Sequence, residues 1–529
     1  MFVCAYCVPV TSELKRPAQA EHFVEWLLPF ATTNPNLRHE HRSPLDRELI
    51  TSLPLSDTAS IETAFETARA AQPAWAALSV ARRAEVIGRF HDLVLDRQAE
   101  ILDIVQWENG KSRGNAMDEV LDVCLTARYY KAVGPKLLRA RRRRGAFPVV
   151  TKTHEVRHPH GVIGVISPWN YPFTLAISDF IPALIAGNAV VLRPDLQTSL
   201  SALWGVALLH KAGLPDGVLN VVLGDGAALG PQIVERADYV MFTGSTRVGR
   251  TVAAQAAGRL IGSSMELGGK NSLIVDQHCD ISTAVEIAAR GAFANAGQLC
   301  IGTERIVVHA DVYDEFIAEF AAKVANLRVG AHIGWGADLG TLTHERQMHS
   351  TQRHIEDAVS RGAQVIAGGH PMPDVGPLAF APTVLVDVPF DAEVCTVETF
   401  GPVCSVYRWE TERDLIAFVN NTEYGLSAGI VSSRIGWARE LATKLKVGTV
   451  NINEAFGSAY ASIDAPMGGM GQSGLGRRHG SDGLLKYTEP QTIAQQRWMK
   501  LTPQWGMDDA GWSAFTTRAM RLMKSLGST

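Results

Sequence analysis

The pattern that most constrains this fold is an alternation, between residues 161 and 275, of short β-rich runs with segments of helical periodicity. The β-rich runs span 161–166, 189–192, 218–223 and 239–242. Strands that alternate with helices form a mostly parallel sheet that is covered by helices on both faces. This part of the chain therefore predicts an α/β architecture.

A second alternating series begins near residue 265 and predicts a second α/β lobe. Its strands are expected at 272–275, 305–309 and 403–407, with helices between them. A chain of 529 residues exceeds what one hydrophobic core usually supports. Two lobes in sequence are therefore the expected organisation.

The flanking segments carry weaker patterns. Residues 1–50 are proline-dotted and are predicted to form an irregular N-terminal arm, whereas 61–78 and 82–108 have apolar residues at helical spacing. Polar and apolar residues alternate at 149–158, which predicts a strand with one solvent-exposed face. The tail beyond residue 500 is rich in Trp and Met and contains no motif that we can assign.

One stretch, 162–192, is long and apolar enough to resemble a membrane span, since Asp179 is its only formal charge. Pro168, Pro172 and Pro182 would break a spanning helix, and irregular backbone exposed to lipid is not tolerated. A buried strand, a loop, a helix and a second strand are the better prediction. We therefore expect no membrane partner.

Charge and cysteine content exclude further classes of protein. The formal net charge of -4 leaves no global field to attract nucleic acid. The one basic block, Arg139 with residues 141–144, could be a local anion patch, but a solvated turn or an ion-pair surface between subunits is the favoured prediction. Seven cysteines are too few for a disulfide framework and predict a reducing cytoplasm. Cys4 and Cys7 form a C-x-x-C that lacks the βαβ context of a redox motif.

Two segments carry residues that are suited to acyl chemistry. Cys300 ends the segment 293–300 (Phe-Ala-Asn-Ala-Gly-Gln-Leu-Cys), a glycine-containing turn in which a thiol is accessible; alone, it could equally be a small buried hydrophobe. Glu266 begins the segment 266–270 (Glu-Leu-Gly-Gly-Lys), where a carboxylate next to flexible glycines could deprotonate a water. Alone, it could equally be an exposed acid in a turn.

Two further segments have features that would stabilise a negative charge on a bound ligand. In 167–172 (Ser-Pro-Trp-Asn-Tyr-Pro) two prolines fix a bend, either as a structural turn or as a mount that presents the Asn170 amide to an oxyanion. In 242–249 (Phe-Thr-Gly-Ser-Thr-Arg-Val-Gly) a strand runs through glycines into a helix, whose N-terminus would suit a pyrophosphate. A nucleotide-triphosphatase P-loop is disfavoured because Arg250 stands where that motif requires lysine.

Together, and in this order, these segments resemble the aldehyde dehydrogenase superfamily over roughly residues 50–495. The segments 398–403 (Glu-Thr-Phe-Gly-Pro-Val) and 466–474 (Pro-Met-Gly-Gly-Met-Gly-Gln-Ser-Gly) add to the resemblance. It implies a Rossmann-like cofactor domain, an α/β catalytic domain and a small β oligomerisation flap, in a homodimer or homotetramer. The expected bounds are an arm at 1–50, the cofactor domain at 51–147 and 159–265, the catalytic domain at 266–465, the flap at 148–158 and 484–499, and a tail at 500–529.

The resemblance also implies a role for individual residues. Cys300 would be the nucleophile and Glu266 the general base, while Asn170 with the Cys300 N–H would form the oxyanion hole. A thiohemiacetal on Cys300 would lose hydride to a nicotinamide, and water activated by Glu266 would hydrolyse the resulting thioester, with no metal needed. The implied cofactor residues are Glu398 at the nicotinamide ribose, Phe400 near the ring, Gly244, Ser245 and Gly249 at the pyrophosphate, Arg193 at the adenosine ribose, and Ile166, Trp169 and Leu267.

Departures from the family pattern bear on cofactor and substrate. Many members have Lys-Pro-Ser-Glu where this chain has Arg-Pro-Asp-Leu at 193–196. Leu196 removes a carboxylate that would repel a 2′-phosphate and Arg193 could pair with that phosphate, so NADP is favoured, although Asp195 could turn inward and favour NAD.

Within the family, segments 300–305 and 476–480 most resemble bacterial succinate-semialdehyde dehydrogenases. Enzymes of that activity bind the substrate carboxylate with two arginines, whose positions are Ala294 and Ser178 here. A broad or more apolar aldehyde range is therefore the alternative. A non-catalytic structural member of the fold is a distant one, and thiol esterase chemistry is an expected side activity.

Overall fold

The computed structural model describes residues 14–145, 150–497 and 499–525. The C-x-x-C at Cys4 and Cys7 lies outside the described residues. The strands are β1 Asn34–Arg42, β2 Leu49–Leu55, β3 Arg141–Arg143, β4 Thr151–Pro159, β5 Val162–Ile166, β6 Ala189–Arg193, β7 Leu219–Val221, β8 Tyr239–Thr243, β9 Gly262–Glu266, β10 Asn271–Val275, β11 Thr303–His309, β12 Gln364–Ala367, β13 Thr383–Val386, β14 Val403–Trp409, β15 Ser427–Val431, β16 Thr449–Ile452, β17 Gly474–Leu475 and β18 Thr488–Gln496.

The helices cover both faces of the sheets that these strands form. They are α1 Ala20–Leu27, α2 Thr58–Ala77, α3 Val80–Asp96, α4 Gln98–Asn109, α5 Arg113–Leu137, α6 Pro172–Ile177, α7 Ile181–Ala186, α8 Ser199–Lys211, α9 Gly226–Arg236, α10 Thr246–Gly258, α11 Ile281–Phe293, α12 Tyr313–Ala325, α13 Glu345–Ser360, α14 Glu393–Thr396, α15 Glu412–Asn420, α16 Ile435–Ala442, α17 Gly457–Ala461, α18 Gly480–Leu485 and α19 Asp509–Ser525.

The first sheet has the order β17-β9-β8-β5-β6-β7, and all of its strands are parallel except β17. The β-rich runs predicted between residues 161 and 242 are confirmed as β5 to β8. Ile163 and Val165 pack into one core cluster and Val162 and Ile166 into another, because alternate side chains of β5 point to opposite, equally buried faces. The α/β architecture is therefore as predicted.

The order of this sheet determines where a ligand can bind. The chain passes from β5 to β6 on one side and later returns to β8 on the other side of β5. Such a reversal leaves a crevice beyond the carboxyl ends of the two central strands, which is where ligands bind in open α/β sheets. Here β5 ends at Ile166 and β8 ends at Thr243.

The second sheet has the order β12-β13-β14-β11-β10-β15-β16, and all of its strands are parallel except β12. The predicted strands at 272–275, 305–309 and 403–407 are confirmed as β10, β11 and β14. Because β10 begins at Asn271, shortly after β9 ends at Glu266, the carboxyl end of the first sheet meets the amino end of the second. The predicted domain bounds stay a prediction, although β17 returns to the first sheet by pairing Gly474 with Glu266.

The stretch 162–192 folds as β5, a loop, the short helices α6 and α7, and β6, which agrees with the prediction of buried strands around helical structure. In the described part of the chain no helix is both long enough and apolar enough to cross a membrane.

A third sheet of order β18-β4-β3 holds the segment that was predicted as a strand with one solvent-exposed face. Strand β4 pairs with β18 in an antiparallel register from Thr151 opposite Gln496 to Pro159 opposite Thr488. The prediction of a turn for the basic block is wrong at residues 141–143, which form the exposed strand β3. Pairing with β4, including the Arg143–Glu155 ion pair at 2.5 Å, supplies a partner that a local pattern does not reveal.

The prediction of an irregular N-terminal arm is also wrong for the described residues. Helix α1 buries Ala20, Phe23 and Leu27, whose spacing of three and four residues places them on one face. Strands β1 and β2 form an antiparallel pair. Strand β1 is mostly exposed and polar, so that it is defined by hydrogen bonding to β2 and not by an apolar alternation. The tail beyond residue 500 contains α19, which buries Trp512.

A buried ion pair ties α5 to the bend after β5. Lys111 Nζ lies 2.6 Å from Glu119 Oε1, and neither side chain is exposed. Glu119 also accepts the backbone N–H groups of Phe173 and Thr174 at 2.8 and 3.0 Å. Desolvation by burial raises the pKa of Glu119 and lowers the pKa of Lys111, and in each case the charge of the partner opposes the shift. Each residue is therefore kept charged by the other.

Glu119→Gln should therefore destabilise the fold, because it leaves Lys111 buried without its anion at a cost of about 3–5 kcal/mol. We expect the apparent thermal unfolding midpoint, measured by circular dichroism, to fall by several degrees. The control is Glu85→Gln, in an exposed pair with Arg82, where the expected loss is below about 1 kcal/mol. Equal midpoints for the two variants would contradict the importance of the buried pair.

Candidate active site

Cys300 lies in the turn between α11 and β11, at the amino end of the second sheet. The preceding backbone passes through Asn295 and Ala296 with φ of 53° and 52°, a left-handed conformation that residues other than glycine rarely adopt. Gly297 follows at φ 71°, and a Cβ there would collide with a neighbouring backbone carbonyl. The Asn271 side chain donates to the Cys300 carbonyl at 2.7 Å. The tertiary fold thus holds this turn in one conformation.

Two cavities meet at Cys300. One has a volume of about 400 Å³ and is lined largely by apolar side chains, which include Leu121, Leu125, Leu175, Leu299, Phe456 and Met467. The other has a volume of about 290 Å³ and is lined by Trp169, Gly244, Ser245, Leu267, Glu398 and Phe400. Cys300, Asn170 and Leu175 line both. A reactant in each cavity would therefore reach the same thiol.

The surroundings of Cys300 favour the thiol over the thiolate. Burial raises the pKa of Cys300 to about 12, and the carboxyls of Glu398 and Glu266 act in the same direction. The charge of Arg478 and the Ile301 backbone N–H oppose that shift. The positive environment that a reactive thiol requires is thus provided at this site chiefly by one arginine.

Glu266 ends β9 at the junction of the two sheets and lines the second cavity. Its Oε1 is buried and has no hydrogen-bond partner among the described residues. Burial raises the pKa of Glu266 to about 7, while the charges of Arg478 and Lys486 oppose the shift. A carboxyl group with this pKa is half ionised near neutral pH, which suits a general base.

Asn170 follows β5 in the predicted bend and lies beside Cys300 in both cavities. Its Nδ2 donates to the Gln298 carbonyl at 3.0 Å. Its backbone carbonyl accepts from Lys111 Nζ at 2.7 Å and from Asn295 Nδ2 at 2.8 Å. These contacts fix the amide next to the thiol, as an oxyanion donor requires.

The second cavity has the features of a dinucleotide site. Gly244 and Ser245 follow β8 and precede α10, whose first N–H groups have no capping side chain in the structure. Free N–H groups at a helix N-terminus attract a phosphate. A Cβ at Gly249 would collide with Leu267, so that glycine allows α10 to pack closely against the strand end.

Glu398 and Phe400 approach the cavity from the second sheet. A Cβ at Gly268 would collide with the Glu398 carboxyl group, and Glu398 Oε1 accepts the Gly269 N–H at 2.9 Å. Burial and Glu304 raise the pKa of Glu398 to about 8. Phe400 has φ 54° and packs edge-on against Trp169, with 5.6 Å between ring centroids. Close glycines, a carboxyl group and aromatic rings fit a ribose and a nicotinamide.

Arg193, Ile166 and Gly249 were predicted to contact the cofactor but do not line this cavity. The Arg193 guanidinium is buried and donates from Nε and Nη2 to the Gly224 carbonyl at 3.0 and 2.8 Å. Its Nη1 lies 3.7 Å from Asp195 Oδ2. Arg193 is thus fixed beside the beginning of α9, at the far side of the β5–β8 crevice.

The two positions at which related enzymes have arginine are filled differently. Ala294 is buried at the end of α11, and Ser178 Oγ donates to Asp122 Oδ2 at 2.6 Å. Within residues 14–145, 150–497 and 499–525, no group of His, Cys, Asp and Glu side chains is arranged to hold a metal ion.

Sequence reasoning missed charged residues that only the fold brings to the site. Glu304 accepts the backbone N–H groups of Thr399 and Phe400 at 2.9 to 3.0 Å and pairs with buried Lys270, which places Phe400. Arg478 and Lys486 approach Glu266 from far along the chain. No local pattern distinguishes these residues from surface charges, because their partners are remote in sequence.

The chain is similar to known proteins over most of its length. The aldehyde dehydrogenase family model matches residues 31–493. A protein named "putative succinate-semialdehyde dehydrogenase, NADP(+)" from Mycolicibacterium smegmatis is 47% identical over 480 residues, which are 91% of this chain and 93% of that protein. A 4,4'-diapolycopene aldehyde oxidase from Methylomonas sp is 36% identical over 468 residues, 88% of this chain and 87% of that protein.

Among solved structures, the succinate-semialdehyde dehydrogenase from Burkholderia pseudomallei superposes with a TM-score of 0.84 at 33% identity. The match covers 88% of this chain and 96% of that chain. The turn that holds Cys300, the carboxyl group at the junction of the two sheets and the second cavity thus occur in a chain that belongs to the aldehyde dehydrogenase family.

Proposed function

We propose that this protein oxidises an aldehyde to a carboxylic acid with NADP, through a thiohemiacetal and then a thioester on Cys300. The observation that carries the proposal is that an apolar cavity and a dinucleotide-like cavity meet at one thiol. Asn170 lines both cavities, and Glu266 lines the second. A nucleophile, an oxyanion donor and a base are therefore available at one place.

In the first half of the reaction, the Cys300 sulfur adds to the aldehyde carbon in the apolar cavity. The Asn170 amide and the Cys300 backbone N–H stabilise the alkoxide that forms. A bound nicotinamide would supply a hydride acceptor in the second cavity. Loss of hydride from the thiohemiacetal leaves a thioester on Cys300.

In the second half, Glu266 removes a proton from a water molecule that attacks the thioester carbon. The carbon–sulfur bond breaks, the acid leaves and the sulfur is regenerated as the thiolate. Because the pKa of Glu266 is about 7, this step should be lost as the pH falls below neutrality, where the carboxyl group is protonated.

The choice of NADP follows from the residues after β6. Leu196 carries no charge that would repel a 2′-phosphate, and Arg193 supplies a fixed positive charge at the end of β6, beside the beginning of α9. Asp195 Oδ1 accepts the Gln197 N–H at 3.1 Å, so that this carboxyl group is engaged in capping a short helical turn. The M. smegmatis relative is named for NADP, which supports the same choice.

We propose succinate semialdehyde as the substrate, after the names of two similar proteins. Of the residues that line the larger cavity, Arg290 and Arg478 are cations. Arg478 is bound to Asp179 at 2.7 Å, whereas Arg290 is half exposed and has a longer contact with Glu454, at 3.3 Å. Arg290 is therefore our candidate for the group that binds the substrate carboxylate.

A second candidate substrate is an uncharged apolar aldehyde. The apolar lining of the larger cavity extends to Leu121, which is exposed at its edge. A relative at 36% identity is named for a polyene aldehyde. This candidate needs no cation in the cavity.

We further propose a cytoplasmic homodimer or homotetramer. Strand β18 is an exposed edge of the third sheet and carries the half-exposed Ile493. An exposed edge strand offers unpaired backbone groups to another chain. The five described cysteines are free, which accords with a reducing compartment.

The first test of the proposal follows reduction of NADP or NAD by its absorbance, with succinate semialdehyde and pentanal as substrates. We expect Cys300→Ala to lose more than about a thousandfold in rate, because no thiohemiacetal can form. Glu266→Gln should give one rapid turnover per active site and then a slow rate, because thioester hydrolysis needs the base. The control Cys279→Ala, which removes a half-buried free thiol elsewhere, should retain full activity. Full activity in Cys300→Ala would refute the proposed mechanism.

The second test concerns substrate charge. Arg290→Gln should raise KM for succinate semialdehyde about tenfold or more, because a charged hydrogen bond is lost, and should leave KM for pentanal unchanged. A matched control is Arg408→Gln, another half-exposed arginine that pairs with an acid and stacks on an aromatic ring. Should both aldehydes respond equally, Arg290 does not bind the carboxylate. Should pentanal be the better wild-type substrate, the apolar candidate is favoured.

A further inference from the structure

A cluster of buried charged residues lies against Glu266 on one face of the first sheet. Ser264 and Glu266, two residues apart on β9, point to the same face. Lys486 Nζ lies 3.2 Å from Ser264 Oγ on that face. Thr243, which is opposite Glu266 on the neighbouring strand, donates to Asp179 Oδ2 at 3.4 Å. Lys486 and Asp179 therefore flank the predicted base.

Arg478 joins this cluster to the larger cavity. Its Nη2 lies 2.7 Å from Asp179 Oδ1, and 13% of the Arg478 side chain and 3% of the Asp179 side chain are exposed. Its backbone N–H and carbonyl exchange hydrogen bonds with Met467 at 2.6 and 2.8 Å. Gly468, which follows Met467 in the chain, approaches Glu266 so closely that a Cβ at Gly468 would lie 3.2 Å from Glu266 Oε1. The Arg478 backbone and the Glu266 carboxyl group are thus held against the same short segment.

Arg478 lines the larger, apolar cavity that contains Cys300. It also lines a separate, water-sized cavity, which is lined by Asp179 and Lys486 as well. Among the described residues, Arg478 and His479 line both of these cavities, and of the two Arg478 carries the positive charge.

The charges that face Glu266 come from several elements. Arg478 and Arg477 follow β17, Lys486 follows α18, Asp179 follows α6, and Cys300 lies across the cavity. The charges of Arg478, Lys486 and Arg477 lower the pKa of Glu266, whereas burial and Asp179 raise it. Burial lowers the pKa of Lys486 to about 8, with Arg478 acting in the same direction and Asp179 and Glu266 opposing it, so that the charge of Lys486 varies near neutral pH.

Two more groups lie close to the arginine. His479 is held neutral, because burial and the charges of Arg478 and Lys486 lower its pKa to about 3. Asp122 Oδ1 lies 3.9 Å from His479 Nε2, and Asp122 Oδ2 accepts the Ser178 hydroxyl at 2.6 Å. A guanidinium does not lose its proton in proteins, so that Arg478 is a constant positive charge in the cluster.

We propose that Arg478, oriented by Asp179, is a positioning residue whose fixed charge keeps Glu266 available as a base and stabilises the Cys300 thiolate. Asp179 limits this effect, because its carboxylate opposes the charge of the arginine at Glu266. The inference rests on the proposed roles of Glu266 and Cys300. In this proposal, the Arg478–Asp179 ion pair sets the pH range in which Glu266 acts as a base and Cys300 as a thiolate.

The two members of the pair should change the pH dependence in opposite directions. Arg478→Gln removes a positive charge, so the pKa of Glu266 rises and the acidic limb of the pH profile moves to higher pH, by about one pH unit or more. Asp179→Asn removes a negative charge, so the limb moves to lower pH. A role confined to folding would weaken activity without moving the limb in opposite directions.

The experiment measures steady-state hydrolysis of p-nitrophenyl acetate between pH 5 and 10 on the whole protein without cofactor. Arg478→Lys keeps the charge and should restore the wild-type profile, and the double variant Arg478→Gln with Asp179→Asn should lie between the single variants. Arg413→Gln and Asp414→Asn alter an exposed Arg–Asp pair on α15 and serve as matched controls that should not move the profile.

An independent measurement is the rate at which iodoacetamide alkylates Cys300, followed by mass spectrometry of its peptide. Arg478→Gln should slow alkylation at least about tenfold at a given pH, because less thiolate is present. Wild-type alkylation rates in that variant, a fixed acidic limb in both single variants, or shifts in the same direction would each overturn the inference.

The outcomes separate this inference from the proposed function. Opposite shifts in a protein that oxidises no aldehyde would support the role of the pair and refute the proposed oxidation. Oxidation of an aldehyde together with unmoved profiles would support the proposed function and refute the role of Arg478. If Arg478→Gln does not fold, two predictions remain: Asp179→Asn should move the acidic limb to lower pH, and Arg478→Lys should leave it at the wild-type position. Failure of either prediction overturns the inference.

Discussion

Burial of ionisable groups where the two parallel sheets meet is the constraint on which the rest of the site depends. Glu266, Cys300 and Glu398 all lie there, and burial raises the pKa of each. Removing such groups from water is costly unless neighbouring charges or hydrogen bonds compensate. Ion pairs therefore surround the site, including Asp179 with Arg478 and Lys111 with Glu119.

Hydrogen bonds made by these buried residues and their neighbours also hold loop segments of the site in one conformation. The bend that carries Asn170 is held through its own carbonyl by Lys111 and Asn295. Phe400, in a left-handed conformation, is held by the carboxyl group of Glu304. Backbone strain of this kind persists only where the surroundings over-determine it, and it is typical of functional sites. The geometry of the site is thus maintained by Lys111, Asn295 and Glu304, which line neither cavity.

The two cavities divide the demands on the site. A substrate bound in the apolar cavity would displace water from the thiol, which strengthens electrostatic interactions there. The second cavity combines close-packed glycines with a helix N-terminus, which favours a phosphate-containing ligand. Because both open onto Cys300, one sulfur atom serves both halves of the proposed reaction. In the proposed function, the cation at Arg290 distinguishes a carboxylate-bearing substrate from an apolar one.

The sequence by itself determined the α/β architecture, strands β5 to β8 of the first sheet and β10, β11 and β14 of the second, and the turns that contain Cys300, Glu266 and Asn170, because strand and helix periodicities and glycine- or proline-containing turns are local signals. It did not reveal α1, the β1–β2 pair or strand β3, whose partners define them more than their own patterns do. Only the tertiary structure decided that Arg478 and Lys486 face Glu266, and that Arg193 is bound to a backbone carbonyl. The reason is physical: the charge state of a buried group is set by neighbours that are close in space and distant along the chain.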